Sequence, residues 1–405
     1  MKRFFLIFMS IFTMTTFSFG QKEKYPSKEE KEYNKNSKNN YAPFKPLDKN
    51  IILNFQSEYY EINETKSNYE PYSPDNFSTP YGKYFKQYLD SILKTMSRDE
   101  FMKHEFEDVE RIGKIGKDQI LKHEKNDSIE AFIYESPQYE NFFFGETGIW
   151  IGYSENNGKD WSYYYTGIVQ KQPVFVKYYS QRPLIIEKGK LEIDACLLRQ
   201  LSPFAHPVPP PSYECVKDGI YLVFDMNTIA RDSDGDGLTD IVEDKFYTDK
   251  YNKDTDGDGI PDNSDTNPRV FYPRTEISKI YEAIIDNDIE WNKEGVISGT
   301  LIFKDDIIYA TDSTETILIV TDNKDLMGIQ PRKHRIIFMT PDEYQKKGKT
   351  FNTDLNRMSI SPLFKVDNME NTFKMTESIN TGGRSWIIRK TENNWVVEII
   401  SMWIS

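Results

Sequence analysis

The chain has 405 residues, with 64 acidic and 51 basic side chains and a net charge of −13. That length allows two domains with real cores, and the acidic balance argues against a nucleic-acid partner, which calls for a basic stripe. The four histidines, His104, His123, His206 and His334, are scattered and none has zinc-type spacing.

Met1, Lys2 and Arg3 lead into an apolar run over residues 4–17, and the small residues Ser18 and Gly20 precede Gln21. This reads as a signal peptide over residues 1–20, cut near Gly20. The mature protein is therefore expected to be secreted, or held in the periplasm or cell envelope, without a transmembrane segment: no later stretch approaches 18 apolar residues. Residues 21–50 are rich in Lys, Glu, Asn and Ser and are expected to be a disordered leader.

Residues 51–228 are expected to form an α+β domain. A first strand is placed in 51–62. Phe85, Tyr88, Leu89, Ile92, Leu93 and Met96 recur at helical spacing, and the Ser97/Glu100 capping pair starts a second helix through Met102, Phe106 and Val109. Strands are predicted at 131–134, 142–153, 161–169, 174–179, 191–198 and 219–224, with a Pro-rich loop at 203–212. Ser154, Asn156, Gly158 and Trp161 resemble the Asp-box turn of sialidase-type propellers, with Asn in the Asp place. One copy cannot make a propeller, which repeats four-stranded blades, so the expected role is a hairpin turn. Trp150, Trp161 and Tyr163 to Tyr165 are read as a core or cross-strand ladder before a sugar platform. Cys196 and Cys215 are a candidate disulfide, which would contribute about 3 kcal/mol if unstrained.

Residues 229–269 hold the strongest chemical signal. Asp232-Ser233-Asp234-Gly235-Asp236-Gly237-Leu238-Thr239-Asp240 runs on to Glu243; Asp254-Thr255-Asp256-Gly257-Asp258-Gly259-Ile260-Pro261-Asp262 runs on to Asp265. Each run has carboxylates at places one, three, five, nine and twelve and Gly at place six, which is calcium-loop spacing. Alternate side chains point at one centre, Gly permits the bend, the carbonyl at place seven (Leu238, Ile260) joins, and place twelve closes the sphere. Asp265 is one carbon shorter than Glu243, so the second ion is expected to be held differently. Mg²⁺ demands stricter geometry and keeps its waters, and no Cys or His is present for zinc. Residues 232–265 contain eleven Asp, one Glu and three Lys, a net of −9. Such density self-repels without a counter-ion. The competing reading is a solvated acidic linker.

The two runs, with Asn267-Pro268 after them, resemble thrombospondin type-3 repeats. The resemblance covers residues 232–268 and implies Ca²⁺ wrapped in a largely helix-free spacer between domains. EF-hands and dockerins fit less well. The first loop can run into a short helix over Asp240–Phe246, but Pro261 and Asn267-Pro268 deny the second an ordinary exiting helix.

In residues 270–405, Ile277, Ile280, Tyr281, Ile284 and Ile285 mark an amphipathic helix. Strands are predicted at 296–303, 307–310, 316–321, 335–339, 372–376, 386–389 and 395–403, with a turn at 391–394. The expected fold is α+β: two mixed domains with antiparallel sheets, joined by a helix-poor calcium-binding segment. There is no Walker loop, no Gly-x-Ser-x-Gly elbow and no His-Glu-x-x-His. The expected function is an exported, non-catalytic calcium-binding protein whose repeat orients its neighbours. The rivals are a secreted glycan-acting hydrolase and a surface adhesin, with an envelope or extracellular glycan or protein as partner.

Overall fold

The computed structural model describes residues 25–37, 45–65, 110–135, 148–169, 173–178, 180–202, 212–292, 298–311, 314–347, 355–379 and 382–404. The signal peptide, the two helices expected in 85–109 and most of the Pro-rich loop lie outside them. What is described is a sheet-rich α+β fold with several separate, largely antiparallel sheets. Among the described residues, no helix is long and apolar enough to cross a membrane.

The strands of the first half are β1 (Glu61–Glu64), β2 (Arg111–Ile112), β3 (Ile115–Gly116), β4 (Ile120–Asn126), β5 (Ile129–Glu135), β6 (Ile149–Ser154), β7 (Ser162–Tyr165), β8 (Val174–Val176), β9 (Ile185–Glu187), β10 (Lys190–Gln200) and β11 (Tyr213–Asp225). β4-β5-β6-β7 form one antiparallel sheet; β1-β11-β10-β8, with β9 on β10, form a second. Alternation along the strands places Ala131, Ile133, Ile149 and Ile151 of the first sheet in one core with Leu191, Ile193, Ile220 and Leu222 of the second. The opposite face of the first sheet carries Phe132, Tyr134, Trp161 and Tyr163, covered by the β2–β3 hairpin through Ile112 and Ile115. The Phe132 and Trp161 rings pack 4.9 Å apart at a tilt of 50°, so these aromatics form a cross-strand ladder. The Asp-box-like run is the β6–β7 hairpin turn. Ser154 Oγ accepts from Gly158 N at 2.9 Å and Asn156 Oδ1 from Asp160 N at 2.9 Å.

The second half contributes β12 (Ile289–Trp291), β13 (Ser298–Leu301), β14 (Glu315–Val320), β15 (His334–Met339), β16 (Asn356–Ile360), β17 (Phe364–Lys365), β18 (Thr372–Ile379), β19 (Gly382–Lys390) and β20 (Trp395–Ile404). They form one nine-stranded sheet, β12-β13-β20-β19-β18-β16-β14-β15, with β17 on β18. The expected helix is present at Glu276–Ile285, capped by Thr275 and Ser278. It packs with Ile317, Ile319, Ile336 and Phe338 on one face of the sheet. Thr391 N donates to Asn394 O at 2.8 Å, closing the β19–β20 turn. Two pairings were not anticipated: β14 runs parallel to both β15 and β16.

Three expectations are corrected. Residues 51–62 do not form one strand: Lys49–Leu53 is a helix, because Asp48 accepts from Asn50 N and Ile52 is drawn into the first core. Residues 307–310 form no strand; Ile307 and Tyr309 are exposed, and the Ala310 amide is taken by Ser264 O at 2.7 Å. The leader is ordered where it is described. A helix spans Lys28–Ser37, and Tyr25 is buried with Val366 and Ile387 of the distant sheet. Glu30 pairs with Lys374 at 2.8 Å, and Tyr33 lies 5.3 Å from the Phe364 ring. Its few apolar residues find a surface that its composition could not show. Tyr25→Ala is expected to raise amide exchange across residues 25–37 while costing at most about 2 kcal/mol globally, because the segment can open locally. Exchange mass spectrometry checks this.

Cys196 and Cys215 are present as free thiols on the paired strands β10 and β11. They share one apolar cluster with Phe175 and Leu198. Contact with Cys215 and burial push the Cys196 thiol well above the usual range.

Candidate metal centre

Each acidic run folds around its own first carboxylate. Asp232 Oδ1 accepts from Gly235 N at 2.7 Å and Oδ2 from Gly237 N at 3.0 Å. Twenty-two positions later, Asp254 repeats both bonds to Gly257 N and Gly259 N at 2.8 and 2.9 Å. Asp234 and Asp256 accept from the amides of Asp236 and Asp258 at 3.0 and 3.1 Å. Asp236 and Asp258 accept from Leu238 N and Ile260 N at 2.7 and 2.8 Å. Gly237 and Gly259 sit at φ +109° and +97°, a region that a Cβ disfavours. One carboxylate oxygen from each of Asp232, Asp234 and Asp236 lies within 4.8 Å of the others, and the same holds for Asp254, Asp256 and Asp258. Each triplet can hold a metal ion.

The carboxylates at place nine do something else. Asp240 accepts from Ser233 N, Ser233 Oγ and Arg231 Nε at 2.8, 2.9 and 2.6 Å. Asp262 accepts from Thr255 N and Oγ1 at 2.9 and 2.6 Å. Both hold their loop shut. Burial opposes the Asp240 charge, but Arg231 and Ser233 outweigh it and keep the carboxyl below the usual range. Ser233 and Thr255 at place two were not singled out from the sequence, although a hydroxyl recurs there in both runs.

At place twelve the two carboxylates have different surroundings. Glu243 is fully buried, and neither of its carboxylate oxygens has a hydrogen-bond partner among the described residues. Asp265 is 1% exposed; Oδ1 accepts from Asn267 N at 2.8 Å, and Oδ2 has no partner among the described residues. Asp234 Oδ2 and Asp256 Oδ2 are likewise buried and unpartnered. A buried carboxylate without a partner costs several kcal/mol. Burial, then Asp234, Asp236, Asp262 and Asp240, push Glu243 up to about 9. Burial, then Asp258, Asp256 and Asp262, push Asp265 up to about 7. Acids so placed take either a proton or a cation. The donor set is all oxygen, which fits a hard cation.

The loops are joined to each other and to both halves of the chain. Asp236 Oδ2 accepts from Asn263 N at 2.9 Å, and Lys253 Nζ donates to Gly235 O at 2.9 Å. The first loop runs directly into the helix Asp240–Phe246, as anticipated. On that helix Ile241 enters the first core, and Lys245 Nζ lies 4.6 Å over the Tyr165 ring. The Tyr59 hydroxyl donates to the Asp244 carboxylate. Phe246 packs instead with Leu318, Ile337 and Met339, on the face of the nine-stranded sheet opposite the helix Glu276–Ile285. The second loop ends in a single turn, Asp265 N to Pro261 O at 3.0 Å. Asn267 Nδ2 then donates to Met327 O and Ile329 O at 2.9 and 3.2 Å. The segment is therefore built into both halves, not strung between them.

The chain matches no protein-family model, no curated protein and no solved structure.

Proposed function

We propose that the protein is an exported, non-catalytic calcium-binding protein in which two Ca²⁺-filled loops of the thrombospondin type-3 kind lock two flanking domains in one orientation. The observation that carries this reading is Glu243, fully buried with both oxygens unpartnered and surrounded by aspartates. A divalent ion there would offset both the lost hydrogen bonds and the mutual repulsion. Ca²⁺ is favoured over Mg²⁺ because it accepts many oxygens in flexible geometry. Asp232, Asp234, Asp236, the Leu238 carbonyl and Glu243 would hold one ion. Asp254, Asp256, Asp258, the Ile260 carbonyl and Asp265 would hold the other. Export is supported by the sequence of residues 1–20 and suits weak sites of about 10⁻⁴–10⁻³ M.

Each site filled at about ten times its dissociation constant would add about 1.4 kcal/mol. Limited proteolysis with and without chelator tests the reading. Chelation is expected to open cleavage within residues 229–269 and leave larger protected fragments on either side. Equal cleavage in CaCl₂ and in EDTA, with no uptake by calorimetry, would reject it.

A further inference from the structure

Arg335 stands at the start of β15, beside the end of the second acidic loop. It is 4% exposed. Its Nη2 donates to Asn263 O at 2.6 Å and its Nε to Asp265 O at 3.2 Å. Its guanidinium lies 4.8 Å over the Phe246 ring. Each contact leads to an ion loop. Asn263, whose carbonyl Arg335 holds, donates its own N–H to Asp236 of the first loop. Asp265 closes the second loop. Phe246 ends the helix on which Glu243 lies. One side chain of the second domain thus touches the exits of both loops. The next residue supplies a reporter. Ile336 N donates to Thr266 O at 2.8 Å, and β15 is an edge strand whose sheet partner is β14.

We infer that Arg335 couples the two cation loops to each other and to the second domain, so that the ions bind cooperatively and their binding seats residues 263–266 against β15. This rests on the calcium reading above. Filling the first loop draws Glu243 inward and seats the helix, which presents Phe246 to Arg335. It also holds Asp236 against the Asn263 amide. The fork of Arg335 then meets both carbonyls in register, and the second loop closes at lower ordering cost. By linkage, seating against β15 raises the affinity of both loops by the same factor by which the ions favour seating. Lysine cannot reproduce this, because a point ammonium does not span two carbonyls and stack on a ring together.

The test is calorimetric titration of the full chain with CaCl₂, with amide exchange of Ile336 followed in parallel. Wild type is expected to bind two ions with a Hill coefficient well above one. Ile336 exchange should slow at least tenfold on going from EDTA to CaCl₂. Arg335→Lys is expected still to bind two ions, with a Hill coefficient near one, about tenfold weaker binding at the second step and no calcium-dependent protection of Ile336. Two independent sites in wild type, with Ile336 exchange equal in CaCl₂ and EDTA, would overturn the inference while leaving the calcium reading intact. No calcium uptake at all would remove both. If Arg335→Lys fails to fold, the wild-type exchange measurement decides alone.

Discussion

Replacing Glu243 with Gln is expected to weaken calcium binding at the first loop about a hundredfold, equivalent to about 2.7 kcal/mol, while making the calcium-free protein more stable at pH 8. The substitution keeps volume and shape and removes one charge. With an ion bound, Glu243 would supply the charge at place twelve, and calcium affinity in such loops follows the ligand charge. Without the ion, burial and the surrounding aspartates push Glu243 up to about 9, so at pH 8 folding obliges it to take up a proton that the unfolded chain does not hold, and Gln removes that cost. The sign of the stability change therefore reverses between EDTA and CaCl₂. Chemical denaturation of both proteins in both buffers measures it. A variant equal to wild type in CaCl₂ would mean that Glu243 is only a buried proton carrier.

The calcium affinity of the wild type is expected to climb with pH from about 6 to about 9 and then level off. Glu243 is pushed up to about 9, Asp265 to about 7, and Asp256 and Asp262 to about 6 each, in every case first by burial. A carboxyl whose folded value is raised binds more protons folded than unfolded, so unfolding releases protons. The calcium-free protein should thus be most stable below the ordinary carboxylate range, and should lose stability as pH rises through these values. Calcium held by Glu243, Asp256 and Asp265 must displace their protons, so its affinity should rise by up to about tenfold per pH unit for each proton displaced. Titrations in two buffers of different ionisation enthalpy count the protons directly. Affinity flat between about pH 6 and 9, with no proton release, would show that these carboxyls are already ionised and that no ion replaces a proton.

Several tertiary features left a readable trace in the chain. Near-continuous apolar runs, Ile317 to Val320 and Ile336 to Met339, are what parallel strands buried on both faces look like. Expected in an antiparallel sheet, they form strands that run parallel to each other. Other features left none. The helix at Lys49–Leu53 stands where an apolar run suggested a strand, because short apolar runs do not separate the two. The seat of Tyr25 beside Ile387 joins residues at opposite ends of the chain.

What the sequence determined by itself is the pair of acidic loops. The turns around Asp232 and Asp254 are closed by hydrogen bonds between residues two to seven positions apart, so local sequence suffices to build each turn. What only the tertiary structure decided is that the segment is a keystone and not a spacer. That depends on Asn267 reaching Ile329 across 62 positions and Arg335 reaching Asn263 across 72. Contacts at that range are set by how whole sheets and helices pack, and no local spacing records them.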